Sequence, residues 1–261
     1  MNDNSNIIKN YYENYVEDER FKKDLSHSVE YLTTKKYIDE NLKKGDRILE
    51  VGAGTGAYSI YYASKGYQVD SVELSLHNLK ILREKITTDM NIRAIEGNAL
   101  DLSMYEDNTF DMTLVLGPLY HLFTEEEKKK AIEEAIRVTK KDGYIYIAYI
   151  TSDTIFISYC LKKHHLLEVD RLCDENYKMK DIPEEIFSAF RIDEFNKLMD
   201  NYNIEHLKDI ATDGLSTVLR EYVNELTDEE FKVWLDYHYK TCEIRDLQGY
   251  STHMLYIGKK R

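Results

Sequence analysis

Residues 47–74 read RILEVGAGTGAYSIYYASKGYQVDSVEL. A short, mostly apolar run at 48–51 stops at a glycine-rich turn, and residues 57–64 have the pattern of a helix. A second apolar run at 67–72 leads into an acid, Glu73. This order of strand, glycine turn, helix, strand and acid predicts a nucleotide-binding βαβ unit.

The glycines and the second acid have separate physical roles. Gly52 and Gly54 allow backbone conformations closed to other residues and let a ligand approach the main chain. The turn opens a helix, whose free N–H groups favour an anionic or hydrogen-bond-accepting group. Glu73, at the end of the second strand, is placed to accept hydrogen bonds from the two hydroxyls of a ribose.

The glycine spacing fits two kinds of cofactor. Gly52, Gly54 and Ala57 satisfy the dinucleotide pattern G-x-G-x-x-A. Gly52, Gly54 and Gly56 satisfy E/D-x-G-x-G-x-G, which resembles the motif of class I S-adenosylmethionine (SAM) methyltransferases. Glu50 favours the second interpretation, because an acid there suits the cationic amino group of SAM and repels a pyrophosphate.

The resemblance extends to two further segments and implies a set of cofactor contacts. Residues 97–102, GNALDL, resemble the family's adenine-binding segment, with Asn98 where the family more often has aspartate. The asparagine can still accept a hydrogen bond through its amide oxygen. The expected cofactor-binding residues are Glu50, Gly52, Ala53, Gly54, Gly56, Glu73, Leu74, Asn98, Ala99 and Leu116.

The acceptor side is expected after the fourth strand, 110–116, which ends in GPLYHL. Gly117 replaces the asparagine of the N-P-P-Y form used on adenine or glutamine amide nitrogens, which makes those acceptors less favoured. Tyr120 and His121 are candidates for catalysis or acceptor binding, although a lone histidine is more often structural. In the resembled family an N-terminal helix often closes over the site. Tyr11, Tyr15 and Arg20 are therefore further acceptor-binding candidates, while ordinary packing explains most of the N-terminal tyrosines.

The predicted fold is α/β: a doubly wound, mostly parallel seven-stranded sheet with an antiparallel last strand and added N-terminal helices. Residues 151–202 are far longer than an ordinary loop of about 2–6 residues, and their pattern is mostly helical. We interpret them as a cap over the acceptor pocket, with a dimerisation arm as the alternative. The predicted division is 1–150 for helices and cofactor core, 151–202 for the cap and 203–261 for the completion of the sheet.

The composition of the chain limits the kinds of substrate and metal that it is expected to bind. The chain of 261 residues carries a net charge of −13, so nucleic acid is a poor substrate unless a local basic patch overrides it. Three widely spaced cysteines and no evident signal peptide or membrane span favour a cytoplasmic protein with reduced thiols. Cys160, His164, His165 and Cys173 match no zinc spacing, and no metal site is predicted.

The sequence thus predicts a SAM-dependent methyltransferase that moves a methyl group in line to a small-molecule acceptor. An NAD(P)-dependent oxidoreductase on the same βαβ unit is one alternative. A non-catalytic SAM-binding regulatory module is another. The acceptor, the atom methylated, the use of a general base and the oligomeric state stay open.

Overall fold

The computed structural model describes residues 3–14, 17–185 and 187–261. The strands are β1 (Arg47–Val51), β2 (Gln68–Glu73), β3 (Ile92–Glu96), β4 (Phe110–Val115), β5 (Thr139–Ile150), β6 (Ile204–Ala211) and β7 (His253–Lys260). The helices are α1 (Asp3–Asn14), α2 (Leu25–Asn41), α3 (Ala57–Ser64), α4 (Leu76–Glu84), α5 (Glu125–Val138), α6 (Ser152–Ile155), α7 (Val169–Leu172), α8 (Ile192–Met199), α9 (Arg220–Asn224), α10 (Asp228–Thr241) and α11 (Arg245–Gln248).

The strands form one sheet in the order β3-β2-β1-β4-β5-β7-β6. β7 runs antiparallel to both of its neighbours, and the remaining strand pairs are parallel. The predicted doubly wound sheet with an antiparallel last strand is confirmed. Val51 pairs with Val72 of β2 and Val115 of β4, so the carboxyl ends of the three central strands meet at one edge. Strand order reverses there, and ligands of open α/β sheets bind at that point.

Local sequence signals place several helix starts. Ser75 caps α4 by accepting a hydrogen bond from the Asn78 N–H, and Thr124 and Thr227 open α5 and α10 with capping boxes. The sequence pattern of residues 215–226 predicts one helix, but the structure is helical only at Arg220–Asn224. The preceding residues bond locally instead: the Thr217 hydroxyl donates to Asp213, which offers the backbone an alternative to the helix.

The long insertion is broken into short pieces. The sequence pattern predicts a continuous helix over 155–167, and the structure does not have one. A π-helical turn (Phe156–Leu161) ends before His164, which has a left-handed φ of 64°. A small apolar cluster lies within this part of the chain and comprises Cys160, Leu172, Cys173 and Met179. α8 packs differently, since its Phe195 stacks on Tyr149 of the main core with ring centroids 4.1 Å apart. Within the described ranges, no helix combines the length and apolar character needed to cross a bilayer.

Candidate functional site

A cavity lies at the carboxyl ends of β1, β2 and β4, and we call it the strand-edge cavity. Counted out to its mouth, and with the open solvent there included, it measures about 970 Å³. Nine of the ten expected cofactor residues line it: Glu50, Gly52, Ala53, Gly54, Glu73, Leu74, Asn98, Ala99 and Leu116. One sheet edge therefore collects residues that are spread over 67 positions of the chain.

Gly56 is the one described residue of the expected cofactor set that does not line this cavity. It precedes α3 with a left-handed φ of 84°, and a Cβ there would lie 2.7 Å from Cγ of Leu82. Among the described residues that line the cavity, Gly56 is not included. Its glycine is required by the backbone turn and by the packing of α4, not by the ligand space.

The other two glycines shape the cavity wall. Gly52 and Gly54 have φ values of 73° and 54°, which side chains rarely tolerate. A Cβ on Gly52 would lie 2.7 Å from Cδ of Pro118, so the turn after β1 and the turn after β4 approach closely here. The Gly52 N–H donates to the Val72 carbonyl at 2.8 Å, which ties the glycine turn to β2.

Glu73 is buried at the end of β2, with 6% of its surface exposed. Its two carboxylate oxygens each accept one hydrogen bond at 2.7 Å, from the backbone N–H groups of Gly54 and Ser75. Burial raises its pKa, although these donors favour the ionised form. A carboxylate accepts about four hydrogen bonds, so two positions remain for ligand hydroxyls.

Glu50 forms an acidic floor beneath the glycine turn. It is buried, and its carboxylate accepts a hydrogen bond from the Ser59 hydroxyl, which itself accepts one from Ser71 at 2.7 Å. Burial, with a smaller contribution from the charge of Glu73, raises the pKa of Glu50 to about 8. Glu50 is therefore largely protonated near neutral pH, and a cationic group bound beside it would favour its ionised form.

Asn98 lines the strand-edge cavity from the turn that follows β3. Its amide oxygen accepts a hydrogen bond from the Leu100 N–H at 3.0 Å. This contact fixes the orientation of the side chain in the turn after β3 and leaves the second lone pair of the oxygen for a ligand.

The N-terminal segment covers this cavity. The Tyr12 hydroxyl of α1 lies 2.8 Å from Nε2 of His121, and Asp18 forms an ion pair with Lys85. Lys85 Nζ also donates to the Thr55 carbonyl at 2.8 Å, which joins the charged segment to the glycine turn. No short sequence motif could predict this contact, because Asp18 and Lys85 are 67 residues apart.

A second cavity adjoins the first beneath residues 155–187, and we call it the cap cavity. It measures about 1,760 Å³ counted out to its mouth, and aromatic side chains form part of its wall: Tyr11, Tyr12, Tyr120, Tyr159 and Phe187. Four residues line both cavities: Tyr12, Glu17, Arg20 and Tyr120. The two cavities therefore meet at one junction.

Charged side chains on distant elements are paired in the cap cavity. One Arg20 terminal nitrogen donates to both Glu30 carboxylate oxygens, at 2.8 and 2.7 Å. His253 Nδ1 lies 2.8 Å from Asp213 Oδ2. Burial alone would lower the pKa of His253, but Glu30 and Asp213 together raise it. Sequence reasoning found only Arg20 of these four, since no short motif joins them.

The predicted acceptor residues are distributed as follows. Tyr120 and Arg20 lie at the junction, Tyr11 lines the cap cavity, and His121 lines the strand-edge cavity. Tyr15 lies outside the described residues. Because Nε2 of His121 already faces the Tyr12 hydroxyl, positioning Tyr12 is its visible role, and action as a base stays a prediction.

Comparisons with known proteins give the same fold and core. Residues 48–143 match the sequence model of a family described as methyltransferase domain. Demethylmenaquinone methyltransferase of Renibacterium salmoninarum is 34% identical over 42% of this chain and 44% of its own length. An rRNA adenine N-6-methyltransferase of Streptococcus sanguinis is 28% identical over 43% of this chain and 47% of its own. This chain thus spans less than half the length of these curated relatives.

A solved structure extends the likeness of fold to nearly the whole chain. A SAM-dependent methyltransferase of Thermotoga maritima superposes with a TM-score of 0.58 at 18% identity, covering 99% of this chain and all of its own. The site also fits the cofactor chemically, since buried acids at the ends of β1 and β2 suit the amino group and ribose hydroxyls of SAM. The family match at residues 48–143, the strand order and this acid-lined glycine turn make the chain similar, in its core segment and its fold, to class I SAM-dependent methyltransferases.

Proposed function

We propose that this protein is an enzyme that transfers the methyl group of SAM to a small molecule. SAM would occupy the strand-edge cavity and the acceptor the cap cavity. The observation that carries the proposal is the junction, because Tyr12, Glu17, Arg20 and Tyr120 line both cavities. In-line transfer needs the acceptor atom and the methyl group held in contact on one axis, and adjoining cavities supply that arrangement.

Three side chains would hold the cofactor. Glu73 would accept hydrogen bonds from the ribose, Glu50 would face the amino group, and the Asn98 amide oxygen would accept from the adenine amino group. When bound, SAM supplies a methyl group on a sulfonium, which is already a strong electrophile. The protein's part is then to orient both partners and to exclude water.

The junction residues would complete the transfer site. Burial raises the pKa of Glu17, although Arg20 opposes the shift. A carboxylate with a raised pKa is suited to take a proton from an acceptor that loses one on methylation. The Tyr12 and Tyr120 rings would enclose the methyl group. Arg20, held by Glu30, lies 3.7 Å from the Glu17 carboxylate and would keep this acid of the junction in place.

A small acceptor is favoured over nucleic acid, although two similar proteins are named as rRNA methyltransferases. The net charge of −13 opposes binding to a phosphate backbone. Aromatic side chains in the wall of the cap cavity suit the body of a small organic molecule. Submicromolar, salt-sensitive binding of RNA in a gel-shift assay would contradict the small-molecule proposal.

The deciding experiment is a turnover screen of small-molecule acceptors with isotope-labelled SAM, read by mass spectrometry. We expect a product that carries the labelled methyl group, and loss of that product in Glu17→Gln. Tyr222→Phe, on the exposed face of α9, is the control and should retain activity. Saturable SAM binding with no transfer to any acceptor would favour a regulatory module instead.

A further inference from the structure

Arg220, the first residue of α9, lines the cap cavity. Its Nε atom is buried and has no hydrogen-bond acceptor among the described residues. Within the same ranges, no carboxylate lies at ion-pair distance from its guanidinium. Buried donors are almost always paired in folded proteins, and a cation withdrawn from water without a partner is costly. The contrast with its neighbours makes this position informative.

The neighbouring cations of the cap cavity have acceptors. Arg20 is bound by Glu30, and His253 by Asp213. His27 Nδ1 lies 2.7 Å from Asp24, whose carboxylate also accepts from the His27 backbone N–H. Asp24 is thus committed to the start of α2: its charge acts on Arg220 from a distance, but no direct ion pair between the two is found among the described residues. An anionic group in the cavity would supply a counter-ion in direct contact.

Backbone contacts fix the place from which Arg220 extends. The Asn224 side chain in α9 accepts from the Ser26 N–H at 2.9 Å, and the Ser26 hydroxyl donates to the Ser216 carbonyl at 2.7 Å. α9 is therefore fastened to α2 on both sides of Arg220. A preorganised guanidinium loses little entropy when it binds a ligand.

We propose that Arg220 binds an anionic group of the methyl acceptor, either a carboxylate or a phosphate. Its planar fork matches both groups in a bidentate geometry. The Thr252 hydroxyl, another buried cavity group without a hydrogen-bond partner in the described chain, is a second polar contact. Tyr11 and Phe187, whose rings meet edge to face at 6.2 Å, provide an apolar wall for the body of the ligand. The inference rests on the proposed function in one respect, that this ligand is the acceptor.

The test uses three probes that share a phenyl ring: benzoate, phenyl phosphate and neutral benzamide. Each is titrated against the full chain, with and without S-adenosylhomocysteine, and the melting temperature is recorded. We expect a saturable rise with benzoate, phenyl phosphate or both, and none with benzamide. Arg220→Gln should weaken the anion response by about 10-fold or more, the effect of a hydrogen bond between charged groups.

Two variants keep the result interpretable. Arg220→Lys retains the charge without the fork and should show an intermediate response, while Lys232→Gln removes an equal charge from the exposed side of α10 and should behave as wild type. Equal responses to benzoate and benzamide, or an undiminished anion response in Arg220→Gln, would overturn the proposal. Calorimetry of S-adenosylhomocysteine with Arg220→Gln is run in parallel. Failure of the wild type to bind S-adenosylhomocysteine in the same calorimetry would count against the proposed function. The response to anions tests Arg220 and is scored separately.

Discussion

The Tyr12 hydroxyl lies 2.8 Å from Nε2 of His121, across 109 positions of the chain. The two rings meet edge to face with centroids 5.5 Å apart. This contact links α1 to the turn after β4, so that a helix outside the sheet forms one wall of the strand-edge cavity. Because α1 covers the cavity from outside the sheet, it is a candidate lid.

The lid predicts a specific pattern of hydrogen exchange. Addition of S-adenosylhomocysteine should increase protection in residues 3–14 and in 155–185, because both segments line the cavities and open more readily than the sheet. Tyr12→Phe should reduce the gain in residues 3–14, since it removes the hydrogen bond to His121. Mass-spectrometric exchange with and without the ligand measures both effects.

The dimerisation arm makes the opposite prediction for the same segments. Protection in 155–185 that rises with protein concentration and ignores the ligand would favour the arm. Tyr222→Phe, 72% exposed on α9, is the matched control for Tyr12→Phe and should leave the ligand-dependent gain intact.

Glu73→Gln tests the ribose contact with little change in shape. The amide oxygen can keep one backbone hydrogen bond, but the charge and one acceptor are lost. We expect SAM binding to weaken by about 1.5–3 kcal/mol, the range for hydrogen bonds to charged groups. Calorimetric titration measures the change, and Glu84→Gln on the exposed side of α4 is the control. Unchanged affinity in Glu73→Gln would remove Glu73 from the cofactor site.

Gly54→Val tests whether the glycine turn serves the ligand or only the backbone. The new side chain would enter the strand-edge cavity, and SAM binding should be lost while the protein stays folded. Gly66→Val is the matched control, because Gly66 also has a positive φ, 87°, but has open space around it. Both variants carry backbone strain, but only Gly54→Val places a side chain in the cavity, so only Gly54→Val should lose SAM binding. Native affinity in Gly54→Val would make the turn purely structural.

The buried Glu50 predicts a pH dependence of stability. Its pKa is about 8 in the folded protein against 4.5 for the exposed side chain. Between these values the folded state holds a proton that the unfolded chain has released, so Glu50 makes the free energy of unfolding fall as pH rises. Glu50→Gln cannot titrate, and its stability relative to wild type should increase with pH across this window and level off above 8.

Urea denaturation at several pH values measures this difference. Glu84→Gln, exposed on α4, serves as control and should follow the wild type. A stability difference between Glu50→Gln and wild type that stays constant from pH 4.5 to 8 would contradict a raised pKa at Glu50.

Local chemistry made much of this molecule predictable. The glycine turn, the acids ending two strands and the capping boxes each depend on residues within a few positions of one another. For that reason the doubly wound sheet with its antiparallel last strand and nine lining residues of the strand-edge cavity could be predicted from the sequence. Gly56 lies against Leu82 of α4, and a motif position does not reveal whether a glycine faces a ligand or a neighbouring helix.

The cap cavity depends on long-range contacts that no short pattern encodes. Arg20 pairs with Glu30 of α2, and His253 of β7 pairs with Asp213, 40 residues away. The helical pattern of the insertion also predicted a longer helix than the structure has, since His164 interrupts it with a left-handed backbone. The arrangement of the cap cavity is therefore visible in the assembled structure and not in the sequence.

The central claim is that the strand-edge cavity binds SAM for methyl transfer, and calorimetric titration of the wild-type chain with SAM and, separately, with NADH tests it most directly. The two acids of the cavity, Glu50 and Glu73, predict saturable binding of SAM with one site per chain and no heat of binding with NADH. Saturable binding of NADH with no binding of SAM would contradict the account.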